Sequence, residues 1–315
     1  MDARSRDPEF QRSRRELLAT LAWLGGSTLL TPLLARAQSR GSAIVRRIPS
    51  SGEELPVIGL GSWITFNVGR DPRGRARCAD VVRAFFEAGG RVIDSSPMYG
   101  SSQEVIGHAM AQLPSANPAL FAADKVWTGR GGAAQIEESR RRWGVRRFDL
   151  LQVHNLVNWQ EQLPLLLQMK AAQRLRYVGI TTSEGRRHGE IERLLRTQPV
   201  DFVQLTYNIL DREAEERILP LAGDRGIGVI VNRPFRGGPL VDDLERHPLP
   251  EWAGEIACAN WPQFLIKFIV SHPAITCTIP ATSQLEHLHE NMGALRGPLP
   301  DEPMRRRMTE YVERL

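Results

Sequence analysis

Short β-rich runs that alternate with amphipathic helical patterns constrain the fold of this chain more than any other feature. From Ile44 onward the sequence predicts eight strands, at 57–60, 91–94, 120–126, 148–153, 177–180, 201–206, 227–231 and 275–279. Helices are predicted between and after them, at 76–88, 103–113, 133–143, 160–173, 186–196, 213–223, 261–271 and 285–292. Such strand–helix units within about 240 residues predict an α/β protein whose parallel strands close into a (β/α)8 TIM barrel.

A doubly wound sheet, the main alternative, would need fewer units and a G-x-G-x-x-G fingerprint after its first strand. Here the first strand runs into Gly59-Leu60-Gly61-Ser62-Trp63, which lacks that spacing. No linker rich in proline or serine divides residues 38–315, so the sequence predicts a single barrel domain there. The stretch "RRIPSSGEELPVIG" before strand one predicts a small hairpin at the barrel floor, and 302–314 predicts a C-terminal helix.

Residues 1–37 have the layout of a signal peptide and are excluded from the barrel. Arg14 and Arg15 precede an apolar run from Leu17 to Leu34, and Ala35-Arg36-Ala37 gives an A-x-A cleavage pattern. The paired arginines are typical of the twin-arginine type, which exports proteins already folded. We therefore expect a periplasmic or otherwise exported protein that folds in the cytoplasm and has no membrane span after cleavage. The alternative is an uncleaved anchor, although the glycines and Pro32 make this run a poor spanning helix.

Charge and cysteine content exclude several classes of function. The formal charge is +5, but the arginines are spread along the chain and are largely matched by 36 acidic residues. The densest basic run, "RRRWGVRRF", ends a polar helical pattern without the interleaved aromatics of a nucleic-acid surface. Cys78, Cys258 and Cys277 are far apart and lack the spacing of metal ligands. We expect no metal, no disulfide framework and no nucleic-acid partner.

Four titratable residues lie at the ends of three consecutive predicted strands. Asp94 ends the second strand and Tyr99 follows five residues later, Lys125 lies in the third strand, and His154 ends the fourth. Each residue alone has an ordinary structural interpretation, as a cap, an ion pair or a hydrogen-bonded histidine. Because the loops after the strands form the mouth of a barrel, where the active sites of this fold lie, their coincidence favours a catalytic site.

The chemistry of these four groups suits reduction of a carbonyl compound. A lysine inside a strand needs a counter-ion, and Asp94 on the adjacent strand can supply it. A nearby ammonium lowers the pKa of a phenol, so Lys125 is expected to lower that of Tyr99 and make it a proton donor near neutral pH. His154 is expected to orient the carbonyl or to assist the proton transfer. Hydride would go to the carbon and the Tyr99 proton to the oxygen.

From about residue 55 to 292 the chain resembles the aldo-keto reductase family. Six segments carry the resemblance in the family's order: "VIDSSPMYGSSQEVIGHAM", "DKVW", "FDLLQVHN", "LRYVGITTS", "FVQLTYNIL" and "TIPATSQLEHLHEN". The resemblance implies an NAD(P)H-dependent oxidoreductase in which Asp94, Tyr99, Lys125 and His154 form the catalytic tetrad. It also implies NADP(H), with NAD(H) as the alternative, bound extended over the barrel mouth.

The same resemblance implies positions for the cofactor. Gln204 stands where the family holds the nicotinamide amide, Thr181 and Thr182 replace a usual Ser-Asn pair, and Asn232 replaces a stacking tyrosine, for which Arg233 or Phe235 can substitute. The loops after strands seven and eight are expected to bind phosphate; they include Arg233, Pro234, Phe235, Arg236, Gly238, Ala281, Thr282 and Ser283. Ala281 and His287 stand where many members grip the 2′-phosphate, and Glu290 and Asn291 where the adenine is held.

Aromatic side chains near the mouth suggest an apolar or flat carbonyl substrate. Trp63, Trp127 and Trp159 are the expected walls of the substrate site. A cofactor-binding regulatory or partner subunit with little turnover is the second interpretation, and the replacements at Thr182 and Asn232 leave room for it. A hydrolase or isomerase barrel would need paired carboxylates or a metal cluster at the strand ends. Because NADPH is scarce in the periplasm, an exported reductase needs either a tightly bound cofactor or a recycling partner.

Overall fold

A computed structural model describes residues 42–315 of the chain. The predicted signal peptide, residues 1–37, lies outside the described residues. The described part begins with a hairpin of two antiparallel strands, β1 (Val45–Arg47) and β2 (Glu54–Pro56), in which Val45 pairs with Pro56. Within residues 42–315 no helix is long and apolar enough to cross a membrane.

Eight parallel strands follow the hairpin and are hydrogen-bonded in chain order. They are β3 (Leu60–Gly61), β4 (Val92–Asp94), β5 (Phe121–Val126), β6 (Leu150–Val153), β7 (Tyr177–Thr181), β8 (Phe202–Thr206), β9 (Gly228–Asn232) and β10 (Ile275–Thr278). The sheet closes on itself, because the amide of Gly59 donates to the carbonyl of Thr278 (2.8 Å) and the amide of Thr278 donates to that of Val57 (2.9 Å). The predicted barrel is therefore confirmed. Its first strand is shorter than predicted, because Ile58 meets β10 only through an isolated parallel bridge.

Helices cover the outside of the barrel. Their bounds are α1 (Pro72–Glu87), α2 (Ser102–Ala111), α3 (Gly132–Trp143), α4 (Trp159–Ala171), α5 (His188–Thr197), α6 (Ala214–Asp224), α7 (Pro239–Leu244), α8 (Trp261–Ser271), α9 (Leu285–Gly293) and α10 (Glu302–Val312). The start of α1 shows how the sequence sets such a bound. The Asp71 carboxylate accepts from the amides of Arg73 and Gly74, and Pro72 occupies the first helical position. The short helix α7 was not predicted; it follows two glycines and begins at Pro239.

The barrel interior is apolar at the floor and polar toward the mouth. Side chains alternate along a strand, so Phe121, Ala123 and Lys125 of β5 all point inward. The floor belongs to a buried cluster of two hairpin residues, inward residues along the strands, and Ile279, which follows β10: Ile48, Leu55, Val92, Phe121, Ala123, Leu150, Tyr177, Phe202, Ile230, Cys277 and Ile279. Ile48 and Leu55 are fully buried in it, so the hairpin plugs the floor as predicted. Chemistry is thereby left to the opposite, carboxyl end of the strands.

Candidate active site

One inward layer above the apolar floor is built from polar side chains. In each of three neighbouring strands a polar residue comes two positions after an inward apolar one. They are Asp94 after Val92 in β4, Lys125 after Ala123 in β5, and Gln152 after Leu150 in β6. Gln204 takes the same place on β8, two residues beyond Phe202. These side chains are buried, and they meet because adjacent strands keep a fixed register, with Asp94 beside Ala123 and Lys125 beside Gln152.

Lys125 and Asp94 form an ion pair beneath the cavity. The ammonium of Lys125 donates to the Asp94 carboxylate and to the carbonyl of Ser95 (2.8 Å). The other Asp94 oxygen accepts from the amides of Gln204 (3.0 Å) and Gln152 (3.2 Å). Burial alone would lower the pKa of Lys125, but the negative charge of Asp94 and the Tyr99 phenol hold it above its ordinary value. Lys125 is therefore an ammonium ion at neutral pH.

Tyr99 reaches the same place from the loop after β4. Its amide donates to the carbonyl of Ser96 (3.0 Å), which closes a turn with Pro97 at the second position. The Lys125 ammonium lies 5.1 Å from the centre of the Tyr99 ring. Burial raises the pKa of Tyr99, and the opposing effect of Lys125 is smaller. The expectation that Lys125 brings this pKa toward neutrality is therefore wrong, and Tyr99 keeps its proton at neutral pH.

His154 begins a short 3-10 turn, His154–Leu156, directly after β6. Its ring stands edge-on to that of Tyr99, with 5.6 Å between the ring centres. The Nδ1 atom lies 2.7 Å from the hydroxyl of Ser96. Burial and the nearby Lys125 charge lower the pKa of His154 to about 2, so the imidazole is neutral. Two groups able to donate a hydrogen bond, a phenol and a neutral imidazole, therefore face one space.

That space is a cavity of about 410 Å³ at the mouth of the barrel. Most of the predicted site residues line it: Trp63, Asp94, Tyr99, His154, Thr181, Gln204, Asn232, Arg233, Pro234, Phe235, Gly238, Ala281, Thr282, His287, Glu290 and Asn291. Lys125 lies behind Asp94 and Tyr99 and is fully buried. The loops after β3, β7, β9 and β10 thus converge with the tetrad on one cavity, whose volume and mixed lining are typical of a small-molecule site.

Besides Lys125, five predicted residues do not line the cavity: Thr182, Arg236, Ser283, Trp127 and Trp159. Arg236 pairs with the carboxylate of Asp211 instead, with 2.9 Å from its Nε to Oδ2. The Trp159 indole donates to Glu190 (2.9 Å), and the backbone of Trp127 is bonded to the Gln135 side chain. Of the three expected tryptophan walls, only Trp63 is at the cavity.

Hydrogen bonds already connect the residues expected to hold the nicotinamide. The Asn232 side chain accepts from the Thr206 hydroxyl (2.7 Å) and donates to the carbonyl of Thr182 (2.9 Å). The Thr181 hydroxyl donates to Gln204 (3.3 Å). Both ends of the Asn232 amide are thus held by neighbouring strands, and the side chain has no aromatic ring for stacking. The Arg233 guanidinium lies over the Trp63 ring, 5.8 Å from its centre, and is paired with the Glu184 carboxylate (3.3 Å).

Ser96, Gln152 and Glu184 are site residues that sequence reasoning missed. The strand alternation that places Asp94 and Lys125 inward also places Gln152 inward, so its position had a usable signal. Ser96 had a weaker one, the "SSP" that precedes Met98 and Tyr99. The described residues hold no group of three or more His, Cys, Asp or Glu side chains arranged for a metal ion.

Comparison with known proteins gives this geometry a family. One relative, the NADH-specific methylglyoxal reductase of Escherichia coli (strain K12), is 23% identical over 338 residues, which cover 86% of this chain and all of the relative. An aldo-keto reductase of Bacillus subtilis (strain 168) is 24% identical over 227 residues, covering 64% of this chain and 68% of the relative.

Solved structures share the fold at similar distance in sequence. One is an aldo/keto reductase from Klebsiella pneumoniae in complex with NADP and acetate, with a TM-score of 0.70 and 22% identity. The match covers 83% of this chain and 93% of the Klebsiella chain. The holo form of an aldo-keto reductase from Bacillus halodurans has a TM-score of 0.70 at 20% identity, and the match covers 86% of this chain and 96% of the Bacillus chain. The model of the aldo/keto reductase family matches residues 57–309, and the chain belongs to that family.

Proposed function

We propose that the protein reduces an aldehyde or ketone by hydride transfer from NAD(P)H, with Tyr99 as the proton donor. The observation that carries the proposal is the meeting of the Tyr99 phenol, the neutral His154 ring and the buried Lys125–Asp94 pair at one cavity. Family membership supports the same chemistry, and the Escherichia coli relative is named a reductase of methylglyoxal, a carbonyl compound.

The residues of the cavity suit a nicotinamide dinucleotide. Gln204 and Asn291 offer amides and Thr181 and Thr282 hydroxyls, while Gly238, at φ 126°, lets the backbone approach a phosphate closely. Bound NAD(P)H would supply the hydride to the carbonyl carbon. Gln204 is the residue proposed to hold the nicotinamide amide, Glu290 and Asn291 the adenine, and the loops 233–238 and 281–283 the phosphates. Arg236 and Ser283 belong to these loops, and Thr182 follows β7 and accepts from the Asn232 amide at its carbonyl. None of the three lines the cavity.

Proton delivery is the task of the chain's own residues. The Tyr99 hydroxyl and the His154 ring can both hydrogen-bond a carbonyl oxygen, which polarises the carbonyl and fixes its position. As negative charge develops on that oxygen, Tyr99 gives up its proton to it. The resulting phenolate lies beside the Lys125 ammonium, whose charge stabilises it, and Asp94 holds that ammonium in place.

The cavity walls support an apolar or flat carbonyl substrate. Trp63, Ile64 and Met98 line the cavity and are 39%, 63% and 41% exposed, so their apolar surface is available to a ligand. Val241 adds an aliphatic group from α7. Burial of these surfaces against a flat apolar compound would contribute about 25 cal/mol for each Å² removed from water.

NADP(H), with NAD(H) as the alternative, is the proposed dinucleotide, because the Klebsiella pneumoniae structures hold NADP or NADPH and the Escherichia coli relative is named NADH-specific. The lining of the cavity nevertheless offers a 2′-phosphate little positive charge. Asp242, Glu245 and Glu290 line the cavity near the positions where family members hold the adenosine, and Ala281 contributes no charge. The two lining arginines, Arg186 and Arg233, both pair with Glu184. A 2′-phosphate would bring its negative charge close to these carboxylates. Among the residues that line the cavity, every lysine or arginine is already paired with a carboxylate, so the repulsion would be little offset.

Titration of the protein beginning at Gln38 with NADPH and with NADH, followed by nucleotide fluorescence, tests binding. Consumption of the bound nucleotide on a panel of aldehydes and quinones tests reduction. Tyr99→Phe should bind as the parent does and lose about 100- to 10,000-fold in turnover. Tyr311→Phe, which removes a phenol outside the cavity, is the matched control. Absence of carbonyl-dependent oxidation on the whole panel, with tight binding, contradicts the proposal.

That last outcome would favour the second candidate, a cofactor-binding regulatory or partner subunit with little turnover. The observation behind it is the Asn232 side chain, which is bonded to Thr206 and Thr182 and leaves the nicotinamide without the stacking ring of other family members. Binding by both parent and Tyr99→Phe, with no turnover by either, is its signature.

Export by the twin-arginine route is proposed from residues 13–37. Cleavage after Ala37 would remove residues 1–37 and leave the mature protein in the periplasm. Folding and cofactor loading would come first, in the cytoplasm, and a tightly held cofactor or a recycling partner would sustain turnover outside it. Fractionation of a bacterial host that expresses the full chain tests this. Replacement of Arg14 and Arg15 by lysine should retain the protein in the cytoplasm. Uncut protein in the membrane fraction would indicate an anchor instead.

A further inference from the structure

Ser96 lies between the two groups that face the carbonyl oxygen in the proposed reaction. It is fully buried, two residues after Asp94 and three before Tyr99. Its hydroxyl oxygen is 2.7 Å from Nδ1 of His154 and 3.2 Å from the backbone nitrogen of Met98. The side chain therefore connects the loop that carries Tyr99 to the turn that carries His154.

The direction of the Ser96–His154 hydrogen bond follows from counting protons. The Met98 amide can only donate, so the Ser96 oxygen accepts that bond. Among the described residues, His154 Nδ1 is the other hydrogen-bond partner of this hydroxyl. If Nδ1 carried the proton and donated it, the hydroxyl hydrogen would be buried without an acceptor, which costs about 1–3 kcal/mol. The hydroxyl therefore donates and Nδ1 accepts.

An accepting Nδ1 determines what His154 presents to the cavity. The imidazole is neutral, because burial and Lys125 lower its pKa to about 2, so it holds a single proton. With Nδ1 bare, that proton is on Nε2. In the part of the chain that the structure describes, Nε2 has no hydrogen-bond partner, and the ring lines the cavity.

We propose that Ser96 is a positioning residue that fixes His154 in the Nε2–H tautomer, so that the nitrogen available to the cavity is a donor. The assignment of the tautomer holds whether or not the protein reduces a carbonyl compound. Its use, a hydrogen bond to the carbonyl oxygen beside that of Tyr99, rests on the proposed reductase function. Ser96 also accepts the Tyr99 amide at its own carbonyl (3.0 Å), so a single residue aligns both donors.

Nitrogen NMR of protein labelled at the histidine rings reads the tautomer directly, because a bare and a protonated ring nitrogen resonate far apart. His154→Asn assigns the signal among the seven histidines. In the parent we expect a protonated Nε2 and a bare Nδ1. Ser96→Ala should give a mixture of the two tautomers, and Ser96→Thr, which keeps the hydroxyl, should restore the parent spectrum. Ser95→Ala is the matched control, since it removes an equally buried hydroxyl that bonds Ser102 instead.

Steady-state kinetics adds the functional readout. Ser96→Ala should lower kcat about tenfold, the effect of one hydrogen bond in the transition state, while the Kd for the dinucleotide stays within about twofold of the parent value. Ser96→Thr should recover most of the loss.

Separate results overturn the proposal and the function on which its use rests. A parent spectrum with the proton on Nδ1, or a Ser96→Ala spectrum that equals that of the parent, overturns the assignment of Ser96. A parent with protonated Nε2 that reduces no carbonyl leaves the assignment intact and counts against the reductase function alone. Should Ser96→Ala fail to fold, the parent spectrum and Ser96→Cys, a weaker donor at the same position, decide the point.

Discussion

Lys125 and Asp94 form an ion pair that is sealed from solvent, with their side chains 0% and 2% exposed. The pair joins adjacent strands and is held from the other side by the amides of Gln152 and Gln204. Two charges taken out of water stabilise each other only while both are present. The pair is therefore needed for stability and, in the proposed reaction, for catalysis. Replacing both residues should restore stability without restoring activity.

Lys125→Met should lower the free energy of unfolding by about 3–5 kcal/mol, because it leaves the Asp94 carboxylate buried without its cation. Adding Asp94→Asn removes that charge, and the double variant should recover most of the lost stability while remaining inactive. Urea unfolding of the parent, both single variants and the double variant gives the coupling energy. Purely additive losses would mean that the two charges do not depend on each other.

The pH profile of reduction should report Tyr99 in its protonated form. Burial raises the pKa of Tyr99 above the ordinary value of 10.0, because the lowering by Lys125 is the smaller effect. Reduction needs Tyr99 in its protonated form. We expect kcat/KM, which reports the free enzyme, to be flat through neutral pH and to fall only above about pH 10. Because the pKa of His154 is lowered to about 2, no step near pH 6.5 should appear either. A fall between pH 7 and 8 in the initial rates would contradict this picture.

Period-two alternation explains why so much of the site was predictable. Once the barrel is inferred, a polar residue two positions beyond an inward apolar one must face the mouth, which places Asp94 and Lys125 without coordinates. The turn-forming Pro97 and the strand end before His154 bring the other two groups to the same end. The hairpin plug was predictable for a similar reason, since an apolar Ile48 and Leu55 need a covered surface.

What the sequence could not supply was the direction of single side chains and the balance of opposing effects. Trp127 and Trp159 follow strand ends as Trp63 does, but the Trp159 indole is bonded to Glu190 and neither residue lines the cavity. The sign of the Tyr99 pKa shift depends on how much burial outweighs Lys125, a magnitude that no spacing encodes. Ser96 looked like an ordinary turn residue, and only its 2.7 Å contact with His154 gives it a role.

Ala281→Lys should increase the affinity for NADPH relative to NADH by about tenfold, because it adds one cation where family members grip the 2′-phosphate and where carboxylates otherwise line the cavity. Fluorescence titration of parent and variant with each nucleotide measures the ratio. Gln112→Lys adds the same charge on an exposed helix end outside the cavity and should leave the ratio unchanged. A parent that already prefers NADPH strongly would show that other groups bind the phosphate.

Asp124 faces away from the barrel interior and is fully buried against α2, where its carboxylate accepts from Gln103 (2.8 Å) and from the Lys125 amide (2.7 Å). Burial raises its pKa from 3.8 to about 7, although these two donors and the Lys125 charge oppose the shift. Below pH 3.8 the folded and unfolded chains both carry the proton. Between pH 3.8 and about 7 the unfolded chain ionises first, so the contribution of Asp124 to stability falls as the pH rises, and above about pH 7 the loss is complete.

Asp124→Asn removes this ionisation and keeps a side chain of the same shape, which a rotated Gln103 amide can still hydrogen-bond. The variant should therefore gain stability relative to the parent as the pH rises from 4 to 7, up to a limit of about 4 kcal/mol, and the gain should then level off. Urea unfolding at intervals across that range measures it. Asp243→Asn, which neutralises an aspartate whose side chain is 68% exposed, should show no such trend. If the difference between Asp124→Asn and the parent is constant with pH, the carboxylate is already ionised in the folded chain at pH 4.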